Sequence, residues 1–236
     1  KSIDMVFVEG GTFQMGSNDG ESDEKPIHSV TVSNFHIGKY PVTQKQWAAV
    51  MGSNPSHFKG NNLPVETISW YNAVEFCNKL SHKEGLTPVY TINQRNVTCN
   101  WKANGYRLPT EAEWEFAAKG GNKSKDFTYA GSNSIDEVAW YNSNSGSKTQ
   151  AVGTKKANEL GIYDMSGNVW EWCWNGYCSY SSSVKINPLG NDSGSYRVLR
   201  GGSWHDNAKS CRSAYRGGNY PVNSDSYGGF RVARNL

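Results

Sequence analysis

Residue types able to do chemistry fall in three places. Asp164 and Glu171 stand seven positions apart in Asp164-Met-Ser-Gly167-Asn-Val169-Trp-Glu171. Two carboxylates with glycine-containing backbone between them offer the side-chain and main-chain oxygens that Ca2+ prefers. Cys173 and Cys178 flank the turn-like Trp174-Asn-Gly-Tyr177, a spacing compatible with a small-loop disulfide and equally with two free thiols. The third place is residues 196–234. There a frame of Arg200-Gly-Gly-Ser-Trp204, Cys211-Arg-Ser213, Arg216 and Gly229-Phe-Arg231 is filled in with His, Asp, Asn, Ser, Tyr and Gly. The filling neither alternates like a strand nor recurs at helical spacing. Tyr offers wide amphipathic contact with little rotamer entropy to lose, and Ser, Gly and Asn adapt their hydrogen bonds, so this is the chemistry of a contact surface. The histidines 28, 36, 57, 82 and 205 form no HxxxH pair and need no special role.

These residues need a scaffold, and 236 residues are enough to bury about 70% of the unfolded surface. With 9 Trp and 13 Tyr, the core is expected to be aromatic, its indole and phenol groups needing partners. A net charge of +3 from dispersed Lys and Arg lacks the basic stripe of a nucleic-acid binder. No apolar run approaches the roughly 20 residues of a membrane span. Five cysteines leave at least one thiol unpaired and do not fix the compartment. The first residue is Lys1, so a trimmed signal or lipid-attachment segment is expected.

Residues 5–17 alternate around Gly10-Gly11 and suggest a hairpin, 18–25 an acidic loop, and 30–40 one further strand. Thr43 with Gln46 forms a capping-box pair opening a helix to about Met51. Ser69 opens a second helix with Ala73, Phe76, Cys77 and Leu80 on one face and Gly85 as its stop. Thr110 with Glu113 opens a third, over 111–118, ending at Gly120-Gly121. Residues 121–157 read as long ordered loops. The expectation is one α+β domain over residues 1–236, with 197–234 as its ligand-binding region.

Seven segments together resemble the formylglycine-generating-enzyme, or sulfatase-modifying-factor, family. They are Phe7-Val-Glu-Gly-Gly-Thr-Phe-Gln-Met-Gly16, Pro41-Val-Thr-Gln-Lys-Gln-Trp47, Pro64-Val-Glu-Thr-Ile-Ser-Trp70, Tyr106-Arg-Leu-Pro-Thr-Glu-Ala-Glu-Trp-Glu115, Gly161-Ile-Tyr-Asp-Met-Ser-Gly-Asn-Val-Trp-Glu-Trp172, Arg200-Gly-Gly-Ser-Trp204 and Gly229-Phe-Arg231. The resemblance implies a variant of the C-type lectin-like fold. It also implies one structural Ca2+ held by the Asp164 and Glu171 side chains with the Gly167 and Val169 carbonyls. Enzymes of this family oxidise a substrate cysteine with copper held by two cysteines. On this sequence the second falls on Cys211 and the first on Asp206, a hard ligand that cannot replace a thiolate for Cu(I). No copper and no catalytic residues are therefore expected, and Cys211 reads as a small buried residue. A branch with a three-histidine iron site is not matched.

The C-terminal patchwork resembles another branch, the variable proteins diversified by retroelements. Their randomised codons reach Asn, Asp, His, Tyr, Ser, Gly, Thr and Ala but not Lys, Glu, Gln, Met or Trp. Those five types make up 46 of the 236 residues, yet residues 205–227 hold only Lys209. The implied variable positions are His205, Asp206, Asn207, Ser210, Tyr215, Gly217, Gly218, Asn219, Tyr220, Asn223, Ser224, Asp225, Ser226 and Tyr227, expected to lie exposed on one face. Gly201 and Gly202 are expected to allow close backbone approach. Trp204 and Phe230 are expected as core anchors, and Arg200, Arg212, Arg216 and Arg231 as structural clamps. The function expected is non-enzymatic binding of a protein or other macromolecular ligand, receptor- or adhesin-like, with no nucleic-acid partner. The protein is expected at the cell surface or exported, touching a membrane only through a lipid anchor. The competing readings are a copper-dependent cysteine oxidase and a carbohydrate-binding lectin.

Overall fold

The computed structural model describes residues 3–190 and 194–236. In chain order its strands are β1 (Met5–Val8), β2 (Gly11–Met15), β3 (His28–Val32), β4 (Phe35–Gly38), β5 (Tyr90–Asn93), β6 (Asn96–Cys99), β7 (Tyr106–Arg107), β8 (Trp170–Gly176), β9 (Lys185–Ile186), β10 (Arg197–Arg200), β11 (Arg216–Asn219), β12 (Gly228–Gly229) and β13 (Ala233–Arg234). Its helices are α1 (Gln44–Met51), α2 (Trp70–Lys83), α3 (Glu111–Ala118) and α4 (Ile135–Val138). One sheet, β1-β4-β13-β7, ties the first strand to the last. A second, β11-β10-β8-β12, carries the C-terminal segment, with β10 antiparallel to β8 and β11, and β12 parallel to β8.

Both α1 and α2 begin with a reciprocal capping box, Thr43–Gln46 and Ser69–Asn72. Only half of the third box forms. Thr110 accepts the Glu113 N–H, but the Glu113 carboxylate is drawn to Arg107 at 2.9 and 3.0 Å. The expected hairpin over 5–17 does not form. β1 pairs with β4 and β2 with β3, in different sheets, because Gly10 lies so close to Val32–Asn34 that a side chain there would overlap their backbone. The single strand expected over 30–40 is two, β3 and β4. Aromatic residues do fill the core: Trp47 stacks on Phe76 at 5.2 Å, while the Trp70 and Trp172 indoles donate to the Cys173 and Ile68 carbonyls. The Trp47 indole N–H is the exception, buried without a partner.

Every residue of α3 is buried, including Glu111, Glu113 and Glu115. Carboxylates so placed must be paired, since an uncompensated buried charge is strongly destabilising. Arg200 and Arg216 face each other across the β10–β11 register and straddle Glu111. Arg216 grips both Glu111 oxygens at 2.7 and 2.9 Å. Arg200 spans Glu111 at 3.0 Å and Glu115 at 2.6 Å. Arg231 binds Glu171 through two nitrogens, each at 2.7 Å, and Arg212 binds Glu24 at 2.6 and 3.0 Å. All four frame arginines are thus structural clamps, each holding the C-terminal segment to a carboxylate on another element.

Burial alone would raise the Glu115 pKa, but Lys119 and Arg200 more than offset it and hold the carboxyl at about 2. Its folded pKa lies below its unfolded one, so its stabilisation is complete above about pH 4.5 and lost as pH falls toward 2. Glu115→Gln is expected to flatten that acid limb in urea titrations run from pH 5 to 2. Glu111→Ala, leaving the buried Arg216 guanidinium without its carboxylate and Arg200 with Glu115 alone, is expected to cost about 3–5 kcal/mol at pH 7.

Candidate functional site

The C-terminal surface is organised over Trp170, the first residue of the wholly buried strand β8. Its indole N–H donates to Asp206 Oδ2 at 2.8 Å, and its ring lies 6.1 Å from that of Tyr215. A Cβ built on Gly217 would stand 3.0 Å from the same ring, and the Trp170 backbone N–H donates to the Tyr227 carbonyl at 2.7 Å. Four candidate positions, Asp206, Tyr215, Gly217 of β11 and Tyr227, therefore converge on one tryptophan. Asn219 gathers the next group: its Nδ2 donates to Asp225 at 3.1 Å and its Oδ1 accepts from Asn223 Nδ2 at 2.7 Å. The Tyr220 ring packs edge-on against Tyr196 at 4.5 Å, and both rings are exposed.

His205, Asn207, Gly218, Tyr220 and Ser224 are exposed; Asp206, Tyr215, Gly217, Asn219, Asn223, Asp225, Ser226 and Tyr227 are half-buried. Ser210 departs from expectation. It is buried within the 3-10 turn Ala208–Cys211, its N–H capped by the Asn207 side chain, and its carbonyl lies against Gly202. Gly218 is exposed but confined, because a Cβ there would come within 2.8 Å of the Tyr177 ring. Trp204 is not a core anchor: it is half-buried, donates to the Ser226 carbonyl at 3.0 Å and braces the loop. Phe230 is in the core, fully buried against Trp47 and Phe76. The double glycine behaves as expected. Both residues have positive φ, 100° and 68°, and a Cβ on Gly202 would lie 2.8 Å from Cys211 Sγ.

That contact places Cys211 beneath the frame, fully buried, its thiol pushed well up by burial and by Asp206. Asp206 Oδ2 also accepts the Ser203 hydroxyl proton, so the carboxylate serves as a bracket for the loop. Cys173 and Cys178 are unpaired, the first buried and the second exposed. Cys173 points toward the core side of β8, where burial pushes its thiol well up.

The segment 164–169, just ahead of β8, forms a tight coil, with Asp164, Gly167 and Asn168 at φ 58°, 79° and 67°. Asp164 Oδ2 accepts the Gly153 N–H at 2.7 Å, whereas Oδ1 is buried with no hydrogen-bond partner. Burial raises the Asp164 pKa to about 6; the Gly153 bond and Arg231 oppose that rise, and Glu171 adds to it. Both Glu171 oxygens are already engaged, by Arg231 and by the Trp114 indole N–H at 2.7 Å. The open, fully desolvated Asp164 oxygen fits a hard cation, with Glu171 able to contribute only while shared with Arg231. The coil is also a brace, since the Gly167 N–H donates to the Gly201 carbonyl at 2.7 Å. Among the described residues no three His, Cys, Asp or Glu side chains converge on one point.

Sequence reasoning missed the floor. Trp170 was visible only as part of a motif, and nothing in its spacing pairs it with Asp206, Tyr215 or Gly217. Comparison with known proteins identifies the family and the fold. The chain is 46% identical to "Chaperone protein LppX" of Paenibacillus barcinonensis over 92% of this chain and 84% of that protein. It is 30% identical to "Inactive C-alpha-formylglycine-generating enzyme 2" of Bos taurus, covering 99% and 88% of the two chains. The solved structure of Treponema denticola variable protein 1 superposes with a TM-score of 0.93 at 40% identity, covering 98% of this chain and 95% of that one. The fold is thus the formylglycine-generating-enzyme variant of the C-type lectin-like fold. Residues 1–236 match the family described as "Sulfatase-modifying factor enzyme 1-like domain", and the chain belongs to that family.

Proposed function

We propose that this protein is a non-enzymatic binding protein whose C-terminal segment displays a diversified ligand surface. The observation that carries the reading is the division of labour around Trp170. The frame residues, apart from the half-buried Trp204 and Arg212, are buried, and they are ion-paired and glycine-tight, while thirteen of the fourteen candidate positions keep at least partial exposure. A surface built this way tolerates substitution above a floor that does not move, with contact area from Tyr215, Tyr220 and Tyr227 and adaptable polar groups from Asn, Ser and Asp. The likeness to a variable protein and to an inactive formylglycine-generating enzyme supports this reading. LppX is by its name a chaperone. A protein ligand met outside the cell suits such a surface, with export and lipid anchoring as the route; no helix among the described residues is long and apolar enough to cross a membrane.

Copper oxidase chemistry is the competing reading, because the family includes enzymes. It needs two accessible soft ligands. Here one position is Asp206, bound to Trp170 and Ser203, and the other is a fully buried thiol. Incubation with Cu(I), oxygen and a cysteine-containing peptide is expected to yield no aldehyde by mass spectrometry; turnover would overturn the binding reading. Diversification predicts a near-identical copy of the segment encoding residues 205–227 in the neighbouring DNA, differing mainly at its adenines, beside a reverse-transcriptase gene. Absence of that copy would remove the retroelement from the reading.

Asp164, with the Gly167 and Val169 carbonyls and the shared Glu171, is proposed to hold one structural Ca2+. When bound, the ion would neutralise the unpartnered Asp164 oxygen and lock the coil against Gly201. The sign of the pH effect follows from the raised pKa. The folded state binds the Asp164 proton more tightly than the unfolded chain, so in EDTA this group's contribution is fully present below about pH 4 and lost as pH rises through 6. Millimolar Ca2+ is expected to raise Tm at pH 7.5, and the gain to fade below pH 6. Asp164→Asn should stabilise the EDTA-treated protein and abolish the Ca2+ response. An unchanged Tm on adding Ca2+ at pH 7.5 would rule out the ion.

A further inference from the structure

Phe58, in the loop between α1 and α2, is held from below at both of its backbone groups. Its N–H donates to Glu66 Oε1 at 2.8 Å, and its carbonyl accepts from Gln44 Nε2 at 2.7 Å. Glu66 and Gln44 are themselves buried. Gln44 Oε1 further accepts from Gly60 N–H and Asn54 Nδ2 at 3.0 and 2.8 Å, and the Glu66 N–H reaches Ser56 at 3.2 Å. Two buried polar side chains are thus committed to fixing the course of one surface loop. That loop is tied to the candidate surface by the Thr67 N–H, which donates to the Asp225 carbonyl at 3.0 Å.

The fixed loop presents rings. His57 and Phe58 meet at 4.7 Å, Phe58 and Trp204 at 5.3 Å, Trp204 and His205 at 5.4 Å, the first three contacts all near-perpendicular, and His205 and Tyr227 stack at 6.4 Å. These are favourable aromatic spacings. The five rings form one continuous ladder that starts in the α1–α2 loop, outside the C-terminal segment, and ends on two of its candidate variable positions. His57 and His205 are exposed, and Phe58, Trp204 and Tyr227 half-buried.

We infer that His57 and Phe58 are a constant part of the ligand-contact surface, seated against every protein partner that the variable positions select. The inference rests on the binding reading above. Its chemistry is that of a pre-organised anchor. Aromatic side chains dominate interface energetics, and a ring whose backbone is already fixed loses little freedom on binding. The partner it fits is a protein surface that lays an apolar side chain across the Phe58–Trp204 junction while the variable residues complete the contact. The constant anchor would supply a base affinity on which few variable side chains need to improve.

The test uses two display libraries of the full chain, randomised at the thirteen exposed or half-exposed candidate positions and selected against hen lysozyme as the probe protein. One library keeps the natural loop and the other carries His57→Ala, an exposed substitution that leaves the fold intact. Binders from the natural library are expected to lose about tenfold or more in affinity when His57→Ala or Phe58→Ala is introduced. Phe7→Ala, an exposed ring in the β1-β4-β13-β7 sheet, should leave affinity unchanged. Melting curves of each variant separate lost contact from lost folding. Binders indifferent to both loop substitutions would overturn the anchor while sparing the binding reading; two libraries yielding no binders would overturn both.

Discussion

Pairing of buried arginines with buried glutamates is the constraint on which the rest of this structure depends. On the reading proposed above, a segment that carries different side chains cannot rely on those side chains to hold it in place. Here the holding is done by the residues between them. Arg200 and Arg216 close on Glu111 from two adjacent strands, Arg212 reaches Glu24 near the N-terminus, and Arg231 grips Glu171 on β8. Guanidinium suits this task, because its planar fork satisfies both carboxylate oxygens at fixed geometry and it keeps its charge when buried. The net worth of such pairs in stability is modest, since desolvation offsets most of the attraction. Their worth in register is larger: a strand slipped by one residue would leave several charges unpaired at once.

On the non-enzymatic reading proposed above, the same logic lets the segment stay folded without keeping catalytic groups. Asp206, where the resemblance to the family's enzymes implies a thiolate, has its carboxylate absorbed into the scaffold by Trp170 and Ser203. Cys211 is packed so closely against Gly202 that the thiol acts as volume. Asp206 and Cys211 here fix loop geometry. A rigid floor is common ground for both tasks, because a catalytic site and a binding site each need side chains held in place by what lies beneath them.

Much of this was legible in the sequence, and the reasons for the remainder are physical. The three main helices were readable because capping and facial periodicity are local signals. So was the structural role of the four arginines, since their spacing inside a polar patchwork marks them as frame. Their partners were not readable: Glu111 lies 89 positions from Arg200 and 105 from Arg216. The half-formed cap at Thr110 shows the same limit, because a tertiary ion pair with Arg107 outbids the local bond to the helix start. The 5–17 segment misled for a related reason. Alternation and a Gly-Gly turn describe a hairpin equally well as two strands sent to different sheets, and the choice was made by the close approach of Gly10 to Val32–Asn34.

The burial of Ser210 sharpens what a variable surface can be. Its neighbours Asn207 and Lys209 are exposed while it faces inward, because the 3-10 turn that carries it must point one residue at the frame. Gly217 and Gly218 are limited in another way, by the rings of Trp170 and Tyr177. The positions best able to change without disturbing the floor are therefore those on the turns, His205, Tyr220 and Ser224, while Asn207 caps the Ser210 N–H and positions in β11 can change only where the ring beneath them yields. On the proposed reading, tolerance to diversity is graded by how closely each position packs on the rings and arginine clamps beneath it. The turns carry the freedom, and the sheet carries the geometry that makes a new side chain there fall in a known place.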